Sequence, residues 1–232
     1  MIDSIKLEDI LFLDIETVPV TYKYNDLNEN ARKLWDNKFR FQAADTPEEH
    51  YKKAGIFAEF AKIICISVGF VSDKAFRLKS FYGDDEKLLL TEFADLLNKH
   101  YNKKEHQLCA HNGKEFDYPF IARRMLINRI KLPNVLNIAG KKPWEVNLLD
   151  TMELWKFGDY KNFTSLNLLA HIFDIPTPKD DIDGSDVSRV YYEEKNLKRI
   201  VTYCQKDVLT VAQVLLRFKG EPLITPEQVV IT

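Results

Sequence analysis

Two carboxylates, Asp14 and Glu16, directly follow an apolar run at residues 10–13 and are separated by a single residue. An apolar run of this kind is typical of a strand that is buried on both faces. Residues i and i+2 of a strand face the same side, so both carboxylates can point at one metal cluster. The alternative is an exposed strand end that carries two acids with no chemical role.

Two further acids lie far along the chain. Asp117 follows a short predicted strand and opens a predicted helix, where aspartate is also a preferred N-cap and Pro119 suits a first helical turn. Tyr203 and Asp207 are four residues apart on a long predicted helix and therefore share one of its faces. The alternatives are a helix cap at Asp117, which is partly compatible with metal binding, and a solvated helix flank at the second pair.

Together, these carboxylates predict a site for divalent cations. Mg²⁺ and Mn²⁺ take oxygen ligands and suit carboxylates. Two such ions, roughly 3.5–4 Å apart, can stabilise both the attacking and the leaving oxygen of phosphodiester hydrolysis. That chemistry needs several acids that converge from distant segments. The predicted ligands are Asp14, Glu16, Asp117 and Asp207.

The elements that must position these residues read as an α/β fold. Three predicted strands come first, and strands and helices then alternate, which fits a mixed sheet of five strands flanked by helices. In such sheets ligands gather at the carboxyl ends of central strands, where the acids fall. The predicted strands are residues 10–13, 62–70, 74–81, 107–110 and 145–149, and the predicted helices are residues 85–98, 117–128, 165–173 and 191–218. Between and after them lie a helical and loop insert (20–59), a polar loop (174–189) and a tail after residue 219 that is expected to extend over the surface.

Composition narrows the functional classes. A chain of 232 residues with 45% hydrophobic residues predicts one domain with a full-sized core. The net charge of −2 argues against a protein that grips long duplex DNA by charge alone. Cys65, Cys109 and Cys204 are far apart and read as buried free thiols. Without a signal-like segment or a membrane-length apolar run, the sequence predicts a soluble cytoplasmic protein.

Three short motifs resemble those of the DEDD superfamily of 3′→5′ exonucleases, which share the ribonuclease H-like fold. Residues 14–17 (DIET) resemble the first motif, residues 112–117 (NGKEFD) the second, and residues 203–207 (YCQKD) the third in its YxxxD form. Residues 10–218 as a whole resemble a bacterial group of predicted exonucleases related to the proofreading domain of B-family DNA polymerases. The sister subtype has a histidine five residues before the last aspartate, where this chain has Thr202. The resemblance therefore indicates the tyrosine subtype.

The resemblance also implies a role for each residue of the site. Asp14 would bridge two metal ions, either Mg²⁺ or Mn²⁺, while Glu16 and Asp207 would complete the site of the ion that activates water. Asp117 would hold the second ion. Tyr203 would orient the attacking water by its hydroxyl. Asp150 lies outside this pattern and is interpreted as structural.

Substrate contacts are less sharply indicated. The resemblance suggests Thr17 and Asn112 as contacts to the terminal nucleotide, and Phe116 as either a stacking wedge or, as we favour, a core residue. Aromatic and basic residues of the insert could stack bases, or could equally serve packing and solubility. The pairs Arg123–Arg124 and Lys141–Lys142 are candidates for phosphate contact or for a solvated face.

The substrate is expected to be the single-stranded or frayed 3′ end of DNA, since the site must receive an unpaired terminus. Two alternatives stay open: an RNA exonuclease, because the same metal site cleaves either backbone, and an inactive nucleic-acid-binding module on the same fold. The sequence holds no recognisable polymerase portion, so a role in proofreading or repair would need a separate partner. One exonuclease domain over residues 1–232 is the expected organisation.

Overall fold

A mixed sheet forms the centre of the molecule in the computed structural model, which describes residues 2–41, 46–142, 145–176 and 182–232. Within these ranges the strands are β1 (Ile10–Pro19), β2 (Ala61–Ser72), β3 (Ala75–Tyr82), β4 (Gln107–Ala110), β5 (Leu148–Asp150) and β6 (Val229–Ile231). Their order across the sheet is β5-β4-β1-β2-β3-β6. The pairs β1–β2 and β2–β3 are antiparallel, and the pairs β1–β4, β4–β5 and β3–β6 are parallel. The predicted mixed α/β sheet is therefore confirmed.

Helices cover both faces of this sheet. They are α1 (Glu29–Phe39), α2 (Pro47–Tyr51), α3 (Glu86–His100), α4 (Asp117–Ile127), α5 (Thr151–Lys156), α6 (Leu166–Ile172), α7 (Val187–Arg189) and α8 (Leu197–Lys219). Among the described residues, no helix is both long and apolar enough to cross a membrane. Residues 42–45 of the predicted insert and 177–181 of the predicted polar loop lie outside the described residues.

Alternation along β1 divides its side chains between two cores. Leu11, Leu13 and Ile15 pack with residues of α3 and α4 on one face, while Ile10 and Phe12 pack with residues of α8 on the other. All five are almost fully buried, and burial of such side chains stabilises the fold by roughly 1.5–3 kcal/mol each. The following even-numbered positions of β1 therefore also face α8.

The sheet has one strand more than predicted. Val229–Ile231, in the tail that the sequence suggests is a surface extension, forms β6 beside β3. Gln213, a buried side chain of α8, holds this tail, because its amide nitrogen donates to the Ile224 carbonyl at 2.8 Å and its oxygen accepts from the Ile224 N–H at 2.9 Å. Three residues give too short a pattern to predict a strand, so this distant tether decides the outcome.

Two predicted boundaries also differ from the structure. β5 begins at Leu148 instead of residue 145. The long helix predicted from residue 191 begins at Leu197, because the π-helical turn Val190–Glu194 ends at Lys195 in a left-handed conformation with φ 52°. The side chain of Asn196 then caps α8 by accepting from the Arg199 N–H.

The insert has a small core of its own. Trp35 is fully buried, and its ring packs against the rings of Phe39 and Tyr51 at centroid distances of 4.4 and 5.0 Å. Its indole N–H donates to the Pro47 carbonyl at 2.8 Å. These aromatic residues of the insert therefore serve packing, whereas Phe41 is exposed.

Candidate active site

Asp14 and Glu16 lie side by side on the α8 face of β1. Asp14 is opposite Ser67 of β2 and Glu16 is opposite Cys65, and the register then shifts so that Thr17 pairs with Ile63. Such a β-bulge increases the local twist and re-aims side chains. One oxygen of each carboxylate and the Cys204 sulfur all lie within 4.8 Å of one another.

Asp117 joins this pair from the start of α4. It is the first helical residue and Phe116 occupies the N-cap position, so the alternative interpretation of Asp117 as the helix cap is wrong. The Asp117 carboxylate accepts hydrogen bonds from its own N–H and from the N–H of Ile15, the residue between the two acids of β1. The helix start is thereby fixed against the strand, and Asp117 itself is 3% exposed.

Tyr203 and Asp207 approach from α8, on the same side of the sheet. Both are half-buried, and the Tyr203 hydroxyl donates a hydrogen bond to the Asp207 carboxylate. One residue further, the Cys204 thiol donates to the backbone oxygen of Asp14 at 3.4 Å and so ties α8 to β1. The pair therefore belongs to the cluster and does not form a solvated flank.

The electrostatics show how closely the acids meet. Burial raises the pKa of Asp14 well above its usual value, and the negative charges of Glu16, Asp207 and Asp117 raise it further. Burial is also the main cause of the raised pKa of Glu16, with Asp207 second. For Asp117, burial and nearby carboxylates raise the pKa to about 7. A divalent cation among these oxygens would replace mutual repulsion by attraction.

The pKa of Tyr203 is also raised in this site. Burial raises the pKa of its hydroxyl, and the carboxylates of Asp207, Glu16 and Asp14 raise it further. The hydroxyl therefore stays protonated and acts as a hydrogen-bond donor.

Asp150 organises the loop that leads into α4. Its carboxylate accepts from the backbone N–H groups of Asn112 and Lys114 at 2.9 and 3.0 Å, and it also caps α5. Its charge is one of those that raise the pKa of Asp117. These contacts agree with the structural interpretation of Asp150. The sequence offers a signal for the capping, an aspartate directly before a helix, but none for the contact with the loop.

Gly113 is required by the packing of this loop. A Cβ at this position would lie 2.5 Å from the Cβ of Ala110 and 3.0 Å from the ring of Tyr118. Tyr118 is fixed in turn by its hydroxyl, which donates to the Leu149 carbonyl at 2.6 Å. The loop therefore sits directly on β4 and β5.

His111 is close to this loop but uses both of its ring nitrogens. Nε2 donates to the Thr164 carbonyl at 2.9 Å, so Nδ1 accepts from the Thr151 hydroxyl at the same distance. Burial lowers its pKa, which favours the neutral ring. Both ring nitrogens of His111 therefore hold neighbouring segments together.

The predicted substrate contacts differ in their surroundings. The Thr17 hydroxyl donates to the Gly55 carbonyl at 2.7 Å and so ties the insert to β1. Asn112 has a left-handed backbone, with φ 61°. Phe116 is half-buried against the core of α3 and α4, with its ring 5.3 Å from that of Phe120, as expected for a packing residue.

Arg124 is not available for phosphate contact, one of the two roles that the sequence left open for it. Its guanidinium is buried and binds Glu86 through two nitrogens, at 2.8 and 2.5 Å. Arg123 is exposed.

The contact of Cys204 with the site was not predicted from the sequence. Its place directly after Tyr203, in the apolar stripe of the helix, is the signal that could have indicated it.

The fold is similar to that of part of a solved family B DNA polymerase. The family B DNA polymerase from the hyperthermophilic archaeon Pyrobaculum calidifontis matches 90% of the chain with a TM-score of 0.53 and 16% identity, and the chain spans 24% of that polymerase. Two yeast structures match 96% and 97% of the chain, with TM-scores of 0.42 and 0.41 and identities of 15% and 13%: the NOT1 MIF4G domain co-crystallised with CAF1, and the RNase domain of Pop2. The matches span 84% and 82% of those chains.

The chain belongs to a family described as predicted 3′–5′ exonucleases related to the exonuclease domain of PolB, whose model matches residues 56–221. The matched range includes Asp117, Tyr203 and Asp207, while Asp14 and Glu16 precede it. As a member of this family, the protein is a predicted 3′–5′ exonuclease. No curated protein matches the chain significantly.

Proposed function

We propose that the protein is a metal-dependent 3′→5′ exonuclease that shortens single-stranded or frayed DNA one nucleotide at a time. The observation that carries this proposal is the convergence of carboxylates from three separate elements, β1, α4 and α8, which mutually raise their pKa values. Keeping four buried or half-buried acids together costs free energy in the absence of a cation. A site that binds cations offsets this cost.

The donor set fits two divalent cations, Mg²⁺ or Mn²⁺. The residues that would hold them are Asp14, Glu16, Asp117 and Asp207, whose oxygens suit hard cations. The Cys204 thiol donates to the backbone oxygen of Asp14, and sulfur suits softer metals than Mg²⁺ or Mn²⁺, so Cys204 is not among the proposed ligands. When bound, the cations would lower the pKa of a water and stabilise charge on the attacking and leaving oxygens.

The chain itself would position the reacting groups. Tyr203, protonated and fixed by Asp207, would orient the attacking water through its hydroxyl, with Glu16 assisting. Thr17 follows Glu16 on β1, and Asn112 lies on the loop before Asp117. From these positions both residues would contact the terminal nucleotide. Phe116 would support the loop from the core side.

DNA is favoured because the family is related to the exonuclease domain of a DNA polymerase. An RNA exonuclease is the alternative, and discrimination would rest on contacts to the 2′-hydroxyl. An inactive binding module is disfavoured because every residue of the three motifs is present. We further propose that residues 1–232 act as one exonuclease domain. Its place would be the cytoplasm, in DNA repair or nucleotide turnover.

The first prediction concerns activity and substrate. With Mg²⁺ or Mn²⁺, the protein should shorten a 5′-labelled single-stranded DNA in one-nucleotide steps, and faster than an RNA of the same sequence. Asp14→Ala should abolish shortening, because it removes a ligand at the centre of the cluster. Asp95→Ala, at an exposed acid of α3, is the matched control and should retain activity.

Three results would overturn parts of this proposal. Laddering that persists in Asp14→Ala would mean that another site, or a contaminant, cleaves the substrate. Faster shortening of RNA would favour the alternative substrate. Binding of the oligonucleotide without any shortening would favour the inactive module.

A further inference from the structure

Three aromatic rings stand exposed on the segment between α5 and α6. Phe157, Tyr160 and Phe163 have 81%, 86% and 65% of their surface exposed. Large rings are normally buried, and a group of them within seven residues leaves apolar area in water that marks interaction sites. The segment therefore presents an unpartnered surface.

The fold holds these rings outward in a defined conformation. Phe157 has a left-handed backbone with φ 44° and is followed by Gly158 at φ 92°, an arrangement that is unfavourable for a bulky residue. No burial of the ring offsets that cost. The next turn is fixed by the Asp159 side chain, which accepts from the Lys161 N–H at 3.2 Å. The far end is fixed by the hydrogen bond from His111 to the Thr164 carbonyl.

Positive charge is interleaved with the rings. The Lys156 ammonium lies 4.3 Å from the centroid of the Phe163 ring, a cation–π contact that fixes both side chains. Lys161 is exposed between Tyr160 and Phe163. We name these five residues the aromatic face: Lys156, Phe157, Tyr160, Lys161 and Phe163. Its alternation of aromatic and basic residues suits a chain of bases and phosphates.

One end of this face, at Lys156 and Tyr160, reaches the loop that leads into α4. A cleft of about 330 Å³ is lined by Asn112, Asp150, Lys156 and Tyr160, among others. Asn112 is the proposed contact to the terminal nucleotide, and Asp150 is close enough to Asp117 to raise its pKa. Lys114, which is paired with Glu153, lines the same cleft. The cleft therefore joins the aromatic face to the loop that leads to Asp117, one of the proposed metal ligands.

We propose that the aromatic face binds the single-stranded nucleic acid that leads into the active site, with bases stacked on the three rings and phosphates beside the two lysines. This inference rests on the proposed function for the placing of the 3′ end. Net charge does not provide the grip, because the whole chain carries −2. Local stacking and a few lysines provide it instead. The interleaved lysines favour this occupant over a protein partner.

Binding without metal tests the face separately from catalysis. Fluorescence anisotropy would measure the affinity of labelled 15-nucleotide DNA and RNA in EDTA, where no hydrolysis by the metal site occurs. Combined Phe157→Ala, Tyr160→Ala and Phe163→Ala should weaken binding of the preferred strand about tenfold or more. The control, Leu126→Ala with Ile127→Ala at exposed apolar residues of α4, should bind like the wild type. Unchanged circular dichroism would show that the variant is folded.

Salt dependence tests the lysines. Each phosphate contact to a single strand contributes about 0.7 to the slope of log affinity against log salt concentration. Lys156→Ala with Lys161→Ala should therefore reduce the slope by about 1.4. Equal affinities of the wild type and the aromatic variant, or no binding by either, overturn the inference. Binding without strand shortening in Mg²⁺ or Mn²⁺ would instead support the face and contradict the proposed function.

Discussion

At the scale of single residues, the proposed roles are divided: Tyr203 orients the attacking water, and the four acids bind the cations. Its hydroxyl donates to Asp207, and burial and the surrounding carboxylates raise its pKa, so it stays a donor at neutral pH. The hydroxyl can steer a water that the acids and their cations activate. It does not need to lose its proton.

Tyr203→Phe removes that donor and leaves the four acids unchanged. We expect the turnover number to fall on the order of 100-fold, because a misplaced nucleophile costs about that much, while Mn²⁺ binding is retained. The matched control is Thr202→Ala, an exposed neighbour at the position where the sister subtype has a histidine. Single-turnover rates on labelled DNA would measure both variants. An unchanged rate for Tyr203→Phe would remove its proposed role, and a large loss in Thr202→Ala would contradict the tyrosine subtype.

Spacing predicts the shared direction of Asp14 and Glu16, because alternation is a property of any strand. The shared face of Tyr203 and Asp207 is predicted by the helix repeat, which places residues i and i+4 next to each other. The hydrogen bond from the Ile15 N–H to Asp117 is different. It depends on how β1 and α4 approach each other, and residues more than a hundred positions apart carry no local signal of that approach.

At the scale of elements, a buried ion pair joins α3 to α4. Arg124 binds Glu86 through two nitrogens and the Ala58 carbonyl through a third, at 2.8 Å. Glu86 also accepts from the Ile63 N–H of β2 at 2.7 Å. The network is fully hydrogen-bonded, and it fixes the helix that begins at Asp117 against the sheet.

Arg124→Ala should destabilise the protein by about 3–5 kcal/mol, because it leaves the buried Glu86 carboxylate without its partner. Arg123→Ala, at the exposed neighbour, should change the free energy of unfolding by less than about 0.5 kcal/mol. Urea denaturation followed by circular dichroism measures both. Equal effects of the two substitutions would refute the structural role. A loss of DNA affinity in Arg124→Ala at unchanged stability would restore the phosphate interpretation.

Helices α3 and α4 lie close to their predicted bounds because each has a long apolar stripe with a clear beginning. The sixth strand and the late start of α8 could not be predicted in this way. β6 depends on the tether between Gln213 and Ile224, and the start of α8 depends on the left-handed residue Lys195. Both are tertiary outcomes that override the local pattern.

At the scale of the whole molecule, two segments are attached close in sequence to the acids. The insert is tied to β1 by the hydrogen bond from Thr17 to Gly55, and the segment that carries the aromatic face is tied to His111, the residue after β4, through the Thr164 carbonyl. A net charge of −2 gives no strong overall attraction to nucleic acid. Substrate affinity should therefore come from the insert, from the aromatic face and from the cations themselves.

The central claim is that the four acids bind a pair of divalent cations, and Mn²⁺ titration by isothermal calorimetry tests it most directly. The wild type should bind two Mn²⁺ ions per chain at pH 8. Binding should weaken as the pH falls from 8 to 6, because Asp117, with its pKa raised to about 7, takes up a proton that competes with the cation. Asp14→Asn should lose saturable binding, while Asp95→Asn should bind like the wild type. Absence of saturable binding in the wild type, or equal binding by Asp14→Asn, would contradict the account.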